Sequence, residues 1–159
     1  MSSTIEDNCI FCKIAQKKID VKIIDENEKA IAFLDAFPLT SGHTLLIPKR
    51  HYEKLQEVEF DQVTPLFSLV HKLSAYVERG TDAQSTLIAI HNGKDAGQEI
   101  PHLHVHIVPR KHGDGGGSIH SMFHSSHRLD DNEMSKVFVD IRAGIAGKEG
   151  KGHGASSFV

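Results

Sequence analysis

Three histidines stand at alternate positions in the second half of this chain, at His102, His104 and His106. Aliphatic residues separate them, and a proline flanks the run on each side. In an extended strand successive side chains point to opposite faces, so the three imidazoles are expected on one face and the aliphatic residues on the other. The Cα atoms of neighbouring histidines on such a face lie about 7 Å apart, so a phosphate-sized group can touch two or three of the rings.

Imidazole side chains in this arrangement suit phosphoryl or nucleotidyl transfer. A neutral ring is a nucleophile, an imidazolium donates hydrogen bonds to phosphate oxygens, and both forms are accessible near pH 7. A solvated strand face is the alternative in a chain with 12 histidines. The strict alternation between flanking prolines favours the chemical interpretation.

The cysteines form a second candidate site. Cys9 and Cys12 are the only two in the chain, and two residues separate them. In a reducing compartment this spacing favours a metal or redox role over a structural disulfide.

Composition limits the class of protein. A chain of 159 residues is expected to form one domain with its own core. The net charge of −3 and the absence of a Lys/Arg-rich run argue against dedicated nucleic-acid binding, although small nucleotides remain possible. No stretch reaches the length of a membrane span, and the N-terminus does not resemble a signal peptide, so a cytoplasmic protein with no membrane partner is expected.

Periodicity and turn signals predict a mixed α and β chain. A short helix is predicted from Asp7 or Asn8 to about Gln16, followed by an antiparallel meander of three strands. The predicted strands cover 21–25, 30–34 and 44–47.

A long amphipathic helix is predicted from the N-cap Thr64, with Pro65 at the first helical position, to Gly80. Its apolar stripe is Leu66, Val70, Leu73 and Val77. A strand over 86–90 and a polar loop over 92–97 then lead to the histidine strand.

The C-terminal part begins with a glycine-rich stretch over 113–118, where mobility is expected. A further amphipathic helix around 134–145 is predicted, capped by Asp130 or Asp131. The predicted organisation is a flexible N-terminus at 1–8, a single domain at 9–146 with core motifs at 9–110 and a C-terminal extension at 111–146, and a flexible tail at 147–159. Five histidines outside the motif are interpreted as surface residues: His112, His120, His124, His127 and His153.

The histidine run fits the pattern His-x-His-x-His-x-x, with x apolar, and therefore resembles the histidine triad (HIT) family of nucleotide hydrolases and transferases. Four further segments occur in the family's order and approximate spacing: Cys9–Ile14, Ala32–Asp35, Gly42–Lys49 and Asn92–Gln98. The resemblance implies an α+β HIT fold, with about five antiparallel strands, one long and one short helix, and a homodimer. The helical stripe permits dimerisation, or it is used entirely in the core of the monomer.

The resemblance also implies catalytic roles. His104 would attack the α-phosphorus of a purine nucleotide and form a covalent nucleotidyl-histidine, which water then releases. The attacking nitrogen must be unprotonated, and the carbonyl of His102 could hold the opposite ring nitrogen. His106 would donate to the phosphate oxygens, and His43 would join these rings from the neighbouring strand.

A nucleoside pocket follows from the same resemblance. Asp35 would accept hydrogen bonds from both ribose hydroxyls. Apolar contacts would come from Phe11, Ile14, Phe33 and Ala36, and polar contacts from His91, Asn92 and Gln98. On the sequence alone, Phe11 and Ile14 are typical core residues. His91 stands where the family often has Asn or Gln, so it supplies an extra donor or lies exposed.

Glu99 is a departure from the family, because it stands where relatives usually carry a hydroxyl residue near the phosphate. A carboxylate repels a phosphate, so either its backbone N–H serves or the side chain points away.

The cysteine pair, by the same resemblance, belongs to a structural zinc site with ligands Cys9, Cys12, His51 and His102. Two thiolates and two imidazoles form a closed tetrahedral site with no position for a metal-bound water. Two buried free thiols are the alternative.

The leading functional hypothesis is hydrolysis of adenosine 5′-phosphoramidates or related AMP conjugates, as in the Hint-type branch of the family. Cleavage of diadenosine polyphosphates, as in the Fhit-type branch, is the enzymatic alternative. A protein that binds nucleotides without turning them over is the third possibility.

Overall fold

The computed structural model describes residues 5–123 and 129–149. The chain divides into two compact units between Gly116 and Gly117. The first unit contains one antiparallel sheet with the strand order β1-β2-β3-β5-β4. Its strands are β1 (Ile23–Glu26), β2 (Ala30–Leu34), β3 (Thr44–Pro48), β4 (Ser85–Ala89) and β5 (Val105–Arg110). The helices of this unit are α1 (Ile5–Asn8), α2 (Ile10–Ala15) and α3 (Phe60–Thr81). The predicted five-stranded α+β fold is confirmed.

The first three strands form the predicted meander, since β2 pairs with β1 on one side and β3 on the other. Asn27 makes the first turn, because its side-chain oxygen accepts hydrogen bonds from the amides of Lys29 and Ala30. Side chains of β2 are buried on both faces of the sheet. Ala30 and Ala32 join the core beneath α3, and the intervening Ile31 joins the core beneath α2.

The predicted N-terminal helix is two short helices, separated at Cys9. Cys9 has an extended backbone, and its thiol accepts a hydrogen bond from the amide of Cys12. With Cys9 as its N-cap, α2 starts at Ile10. Its side chains Phe11 and Ile14 pack against the sheet.

The long helix α3 starts at Phe60, so the start predicted at Thr64 is wrong by one turn. Pro65 lies inside the helix and not at its first position. Because proline has no N–H, it removes one intrahelical hydrogen bond. The helix ends at Thr81, where Asp82 adopts a left-handed conformation with φ 53°.

The apolar stripe of α3 is buried within the monomer. Its residues form one core with the aliphatic residues that alternate with the histidines: Leu66, Val70, Leu73 and Val77 pack with Leu103, Val105 and Ile107. The stripe is therefore used in the monomer's own core, and the predicted homodimer would need another surface.

The histidine strand is shorter than predicted. Only Val105–Arg110 forms a regular strand, between β3 and β4, and residues 102–104 lie outside it. Pro48 ends the pairing strand β3 and has no N–H to continue the ladder. The amide of Leu103 donates instead to the carbonyl of Tyr52, at 2.6 Å.

The second unit contains a 3-10 turn at Ile119–Met122 and the helix α4 (Asp131–Glu149). Asp130 caps α4, as one of the two predicted alternatives, because its carboxylate accepts hydrogen bonds from the amides of Asn132 and Glu133. The predictions for 1–4, for His124 and His127, and for the tail at 150–159 with His153 lie outside the described residues. Within the described ranges, none of the helices has the length and apolar character needed to cross a membrane.

Candidate active site and metal centre

Four histidine rings meet at the point where β5 enters the sheet. His43 immediately precedes β3, and His106 pairs with Leu45 of that strand. Gly42 allows the chain to turn before His43, since its φ is +90° and a side chain there would collide with Thr81. The rings of His104 and His106 lie 4.8 Å apart, and those of His43 and His106 lie 5.1 Å apart. The structure therefore brings together the four predicted catalytic histidines, with His102 behind them.

A backbone carbonyl sets the tautomer of His104. Its Nδ1 lies 2.7 Å from the carbonyl oxygen of His102, and a carbonyl can only accept. Nδ1 therefore carries the proton, and Nε2 keeps its lone pair. A neutral imidazole with a free Nε2 is the form that a nucleophile requires.

Burial keeps this ring neutral. Removal from water lowers the pKa of His104, and the nearby His91 ring lowers it further. The hydrogen bond to the His102 carbonyl and the carboxylates of Asp35 and Glu99 act in the opposite direction. The net shift is downward, so the ring is unprotonated at neutral pH.

His43 and His106 form a hydrogen-bonded pair, with Nε2 of His43 2.9 Å from Nδ1 of His106. The other nitrogen of His106, Nε2, is buried and has no hydrogen-bond partner among residues 5–123 and 129–149. Burial, with smaller contributions from His104, His43 and His91, lowers the pKa of His106 to about 4. His43 is buried, and the pKa of its ring is lowered as well, chiefly by loss of solvation.

The predicted nucleoside pocket has one polar and one apolar part. Asp35 follows β2, and its Oδ2 lies 3.3 Å from Nδ1 of His43. Phe11 packs edge-to-face on the ring of His104, at 5.2 Å, and on Phe33, at 5.8 Å. Phe11, Phe33 and Ile14 are all buried core residues, whereas Ala36 is exposed. Phe11 thus lies against His104, while the contact of these four residues with a nucleoside stays a prediction.

The polar loop predicted over 92–97 is anchored to the segment that follows β3. Asn92 accepts a hydrogen bond from the amide of Leu55 and donates one to Gln56, and Gln98 donates to the carbonyl of Glu53. The side chains of Asn92 and Gln98 therefore hold the loop in place. Their predicted substrate contacts remain a prediction.

His91 lies beside this loop and near the catalytic rings. Its ring is 5.3 Å from that of His106, and its Nδ1 lies 3.0 Å from the carbonyl oxygen of Gly97. A carbonyl accepts, so Nδ1 donates and Nε2 keeps its lone pair. Glu99 is exposed.

The metal-ligating side chains predicted from the sequence form one cluster. The ligand atoms of Cys9, Cys12, His51 and His102 all lie within 4.8 Å of one another. Nδ1 of His102 is 3.4 Å from the sulfur of Cys9, and Nδ1 of His51 is 3.3 Å from that of Cys12.

The orientation of His102 suits metal binding. Its Nε2 lies 2.9 Å from the carbonyl oxygen of Pro48, so Nε2 donates and Nδ1 presents a lone pair to the two sulfurs. Burial lowers the pKa of His102 to about 4, which keeps that lone pair free. Two thiols and two imidazoles are a donor set typical of tetrahedral zinc. The residues therefore fit a metal ion.

Several groups that position the site are backbone atoms, which the sequence did not reveal. The carbonyl of Pro48 orients His102, and the amide of Leu39 lies 3.2 Å from Nδ1 of His43. Neither contact has a side-chain signature. The contact between Asp35 and His43 was missed as well, although both residues were candidates on other grounds.

Comparison with known proteins gives relatives along most of the chain. An uncharacterized HIT-like protein of Methanocaldococcus jannaschii is 43% identical over 67% of this chain and 82% of its own length. The adenylylsulfatase HINT3 of Arabidopsis thaliana is 36% identical over 89% of this chain and 71% of its own. An asymmetrical bis(5′-nucleosyl)-tetraphosphatase of Schizosaccharomyces pombe is 33% identical over 74% of this chain and 64% of its own.

Solved structures share the fold. A Streptococcus mutans protein superposes with a TM-score of 0.80 at 32% identity, over 91% of this chain and 89% of its own. A zinc-bound histidine triad family protein of Mycobacterium smegmatis superposes with a TM-score of 0.65 at 31% identity, over 92% of this chain and 99% of its own. The model of the HIT domain matches residues 16–113, which include all four catalytic candidates. This chain therefore belongs to the HIT domain family.

Proposed function

We propose that this protein hydrolyses nucleotide conjugates at the α-phosphorus, and that adenosine 5′-phosphoramidates are its preferred class of substrate. The observation that carries the proposal is the 2.7 Å hydrogen bond from Nδ1 of His104 to the carbonyl of His102, which leaves Nε2 free as a nucleophile. The relative named an adenylylsulfatase supports an AMP conjugate as substrate.

In the first step, Nε2 of His104 attacks the α-phosphorus and the bond to the leaving group breaks. The electron pair of that bond stays with the leaving nitrogen, which takes a proton from Nε2 of His106. The rings lie 4.8 Å apart, so both can reach one phosphate. The product is an amine and a covalent nucleotidyl-His104.

In the second step, water replaces His104 at phosphorus. The hydroxyl forms the new bond to phosphorus, the water proton goes to Nε2 of His106, and the electron pair of the broken bond returns to His104. The carbonyl of His102 keeps its hydrogen bond to Nδ1 throughout and stabilises the positive charge of the modified ring.

The nucleoside would bind between β2 and α2. Asp35 would accept hydrogen bonds from the ribose hydroxyls, and the base would lie against the apolar side chains. Those side chains are Phe11, Ile14, Phe33 and Ala36, with His91, Asn92 and Gln98 on the phosphate side. The contact of Phe11 with His104 and that of Asp35 with His43 support this placement.

Zinc is the proposed metal of the cluster formed by Cys9, Cys12, His51 and His102. Bound there, it would supply structural bracing and no reacting water, because four protein ligands close its coordination sphere. His102 would connect this bracing to the carbonyl that orients His104. The zinc-bound family member from Mycobacterium smegmatis supports the assignment.

Diadenosine polyphosphate cleavage is the second candidate, favoured by the relative named a bis(5′-nucleosyl)-tetraphosphatase. The same histidines would serve, and the leaving group would be a nucleotide instead of an amine.

The two candidates separate in one experiment. Product release from an adenosine phosphoramidate and from diadenosine triphosphate is measured side by side. Faster release from the phosphoramidate supports the proposal, and faster release from the dinucleotide assigns the protein to the second class. Nucleotide binding without cleavage of either compound would indicate a non-catalytic binding protein and contradict both.

A further inference from the structure

The Nδ1 atom of His43 faces a hydrogen-bond donor and an acceptor at the same time. It lies 3.2 Å from the amide nitrogen of Leu39 and 3.3 Å from Oδ2 of Asp35. A neutral ring with a lone pair on Nδ1 accepts from Leu39, whereas a protonated ring donates from Nδ1 to Asp35. The surroundings of His43 therefore accommodate both protonation states.

The rings of His102 and His104 are each held in one tautomer. His102 and His104 each direct one ring nitrogen at a carbonyl, which fixes a single tautomer. Among His43, His102, His104 and His106, only His43 combines a carboxylate on one side with a second imidazole on the other. A row of side-chain contacts runs from Asp35 through His43 to His106. It ends at Nε2 of His106, which has no hydrogen-bond partner among the described residues.

The groups around the His43–His106 pair have opposite effects on its protonation. Burial and the nearby rings of His104 and His91 disfavour a proton on the pair. The carboxylate of Asp35 raises the pKa of His43, His104 and His106, whereas that of Glu99 raises the pKa of His104. A protonated pair in this buried site thus depends on Asp35.

We propose that Asp35 is the counter-ion of the His43–His106 pair when that pair, neutral in the resting protein, takes up one proton for the reaction, and so a positioning residue for the proton that the leaving group takes. The inference deepens the proposed function and rests on it for the identity of the proton acceptor. Asp35 would then serve both the ribose and the acid, which links nucleoside binding to the chemistry.

The proton balance closes within the pair. Before transfer, His43 carries protons on both nitrogens, and His106 carries one on Nε2. When the leaving nitrogen takes the Nε2 proton of His106, the Nε2 proton of His43 moves to Nδ1 of His106. His43 keeps the Nδ1 proton donated to Asp35, and both rings are neutral. The water proton released in the second step reverses these transfers.

Asp35→Asn tests this role, since the amide oxygen can still accept the hydrogen bond that Oδ1 receives from the amide of Phe37. Single-turnover rates are measured for an adenosine phosphoramidate, whose amine needs a proton, and for adenylyl sulfate, whose sulfate leaves as a stable anion. The variant is expected to lose at least about ten-fold more rate with the phosphoramidate, because a shift of one pKa unit changes the protonated fraction ten-fold. As the pH is raised, the rate with the phosphoramidate should also begin to fall at a lower pH in the variant than in the wild type.

A role in ribose binding alone predicts a different result. The variant would then lose the same factor with both substrates, and the loss would disappear with their 2′-deoxy forms. Equal losses would overturn the proposal. Asp25→Asn is the matched control, because it removes a carboxylate that pairs with Lys72 on the surface, and it should change neither rate.

A titration of the histidine rings by ¹⁵N NMR tests the counter-ion without turnover. The pair should protonate at lower pH in Asp35→Asn than in the wild type, with His43→Gln and His106→Gln assigning the signals. An unchanged titration would refute the counter-ion role. If the wild type cleaves neither substrate, the proposed function fails, and this titration alone decides whether Asp35 holds the proton.

Discussion

At the scale of single residues, the site is defined by which nitrogen of each ring carries a proton. Two carbonyl groups, of Pro48 and His102, orient His102 toward the cysteines and His104 toward the substrate side. The sequence predicted both histidine rings and indicated the carbonyl of His102 as the partner of His104. It could not reveal the carbonyl of Pro48, because a backbone acceptor leaves no mark in the residue types.

Asp35 gives the first prediction at this scale. Asp35→Ala should weaken the binding of AMP far more than the binding of 2′-deoxy-AMP, because a carboxylate that accepts from two adjacent hydroxyls loses more with the full ribose. We expect at least a ten-fold difference between the two losses, or about 1.4 kcal/mol.

Isothermal titration calorimetry with both nucleotides measures this difference, with Asp25→Ala as the control at a half-buried carboxylate that pairs with Lys72. A variant that weakened both ligands by the same factor would remove Asp35 from the ribose site.

At the scale of elements, the sequence predicted the sheet and the helices well, because their patterns are local. The turn at Asn27, the apolar run of β2 and the apolar stripe of α3 all have clear signals in the sequence. The errors came from tertiary contacts. Residues 102–104 leave the ladder because Pro48 ends β3 and Tyr52 takes the Leu103 amide. The start of α3 was missed because Pro65 looked like a first helical residue.

The cluster of Cys9, Cys12, His51 and His102 connects α2 to the segment that carries His104, so the proposed metal should affect the stability of the fold. Cys12→Ser should lower zinc content and the unfolding midpoint, because the metal-binding free energy contributes to folding. Elemental analysis and thermal unfolding measure both quantities.

Treatment of the wild type with a chelator should lower its midpoint toward that of Cys12→Ser, and the same treatment should leave the variant unchanged. A wild-type protein that contained no zinc after expression in zinc-supplemented medium would contradict the assignment.

At the scale of the whole molecule, the buried neutral histidines make stability depend on pH. The pKa of His106 falls from its ordinary value of 6.5 to about 4 in the folded protein, chiefly because the ring is buried. The unfolded chain therefore binds this proton at a higher pH than the folded chain. The contribution to stability is complete above pH 6.5 and is lost as the pH falls toward about 4.

Thermal unfolding between pH 7.5 and pH 4 should show this loss, and His106→Gln should reduce the slope. Carboxylates in ion pairs do not explain a loss in this window. The pKa of Glu26 is lowered to about 2 from its ordinary 4.5 by Lys17 and Lys49, so its contribution is lost only below pH 4.5. A midpoint that stayed constant from pH 6.5 to 4.5 would contradict the account.

The domain organisation, the cellular location and the oligomeric state stay predictions from the sequence. The single domain at 9–146 stays a prediction beside the division between Gly116 and Gly117. The cytoplasmic location and the homodimer depend on partners and surroundings outside one chain. The structure restricts the dimer in one respect, since the stripe of α3 is buried in the monomer.

The central claim is that His104 is the nucleophile, and mass spectrometry after rapid quenching tests it most directly. Wild-type protein mixed with an adenosine phosphoramidate should gain the mass of one adenylyl group on His104. His104→Ala should show no adduct and lose at least about 1,000-fold in turnover, because its covalent route is removed. The control His112→Ala, at an exposed position, should keep both. An adduct on another residue, or a His104→Ala variant that kept most of its rate, would contradict the account.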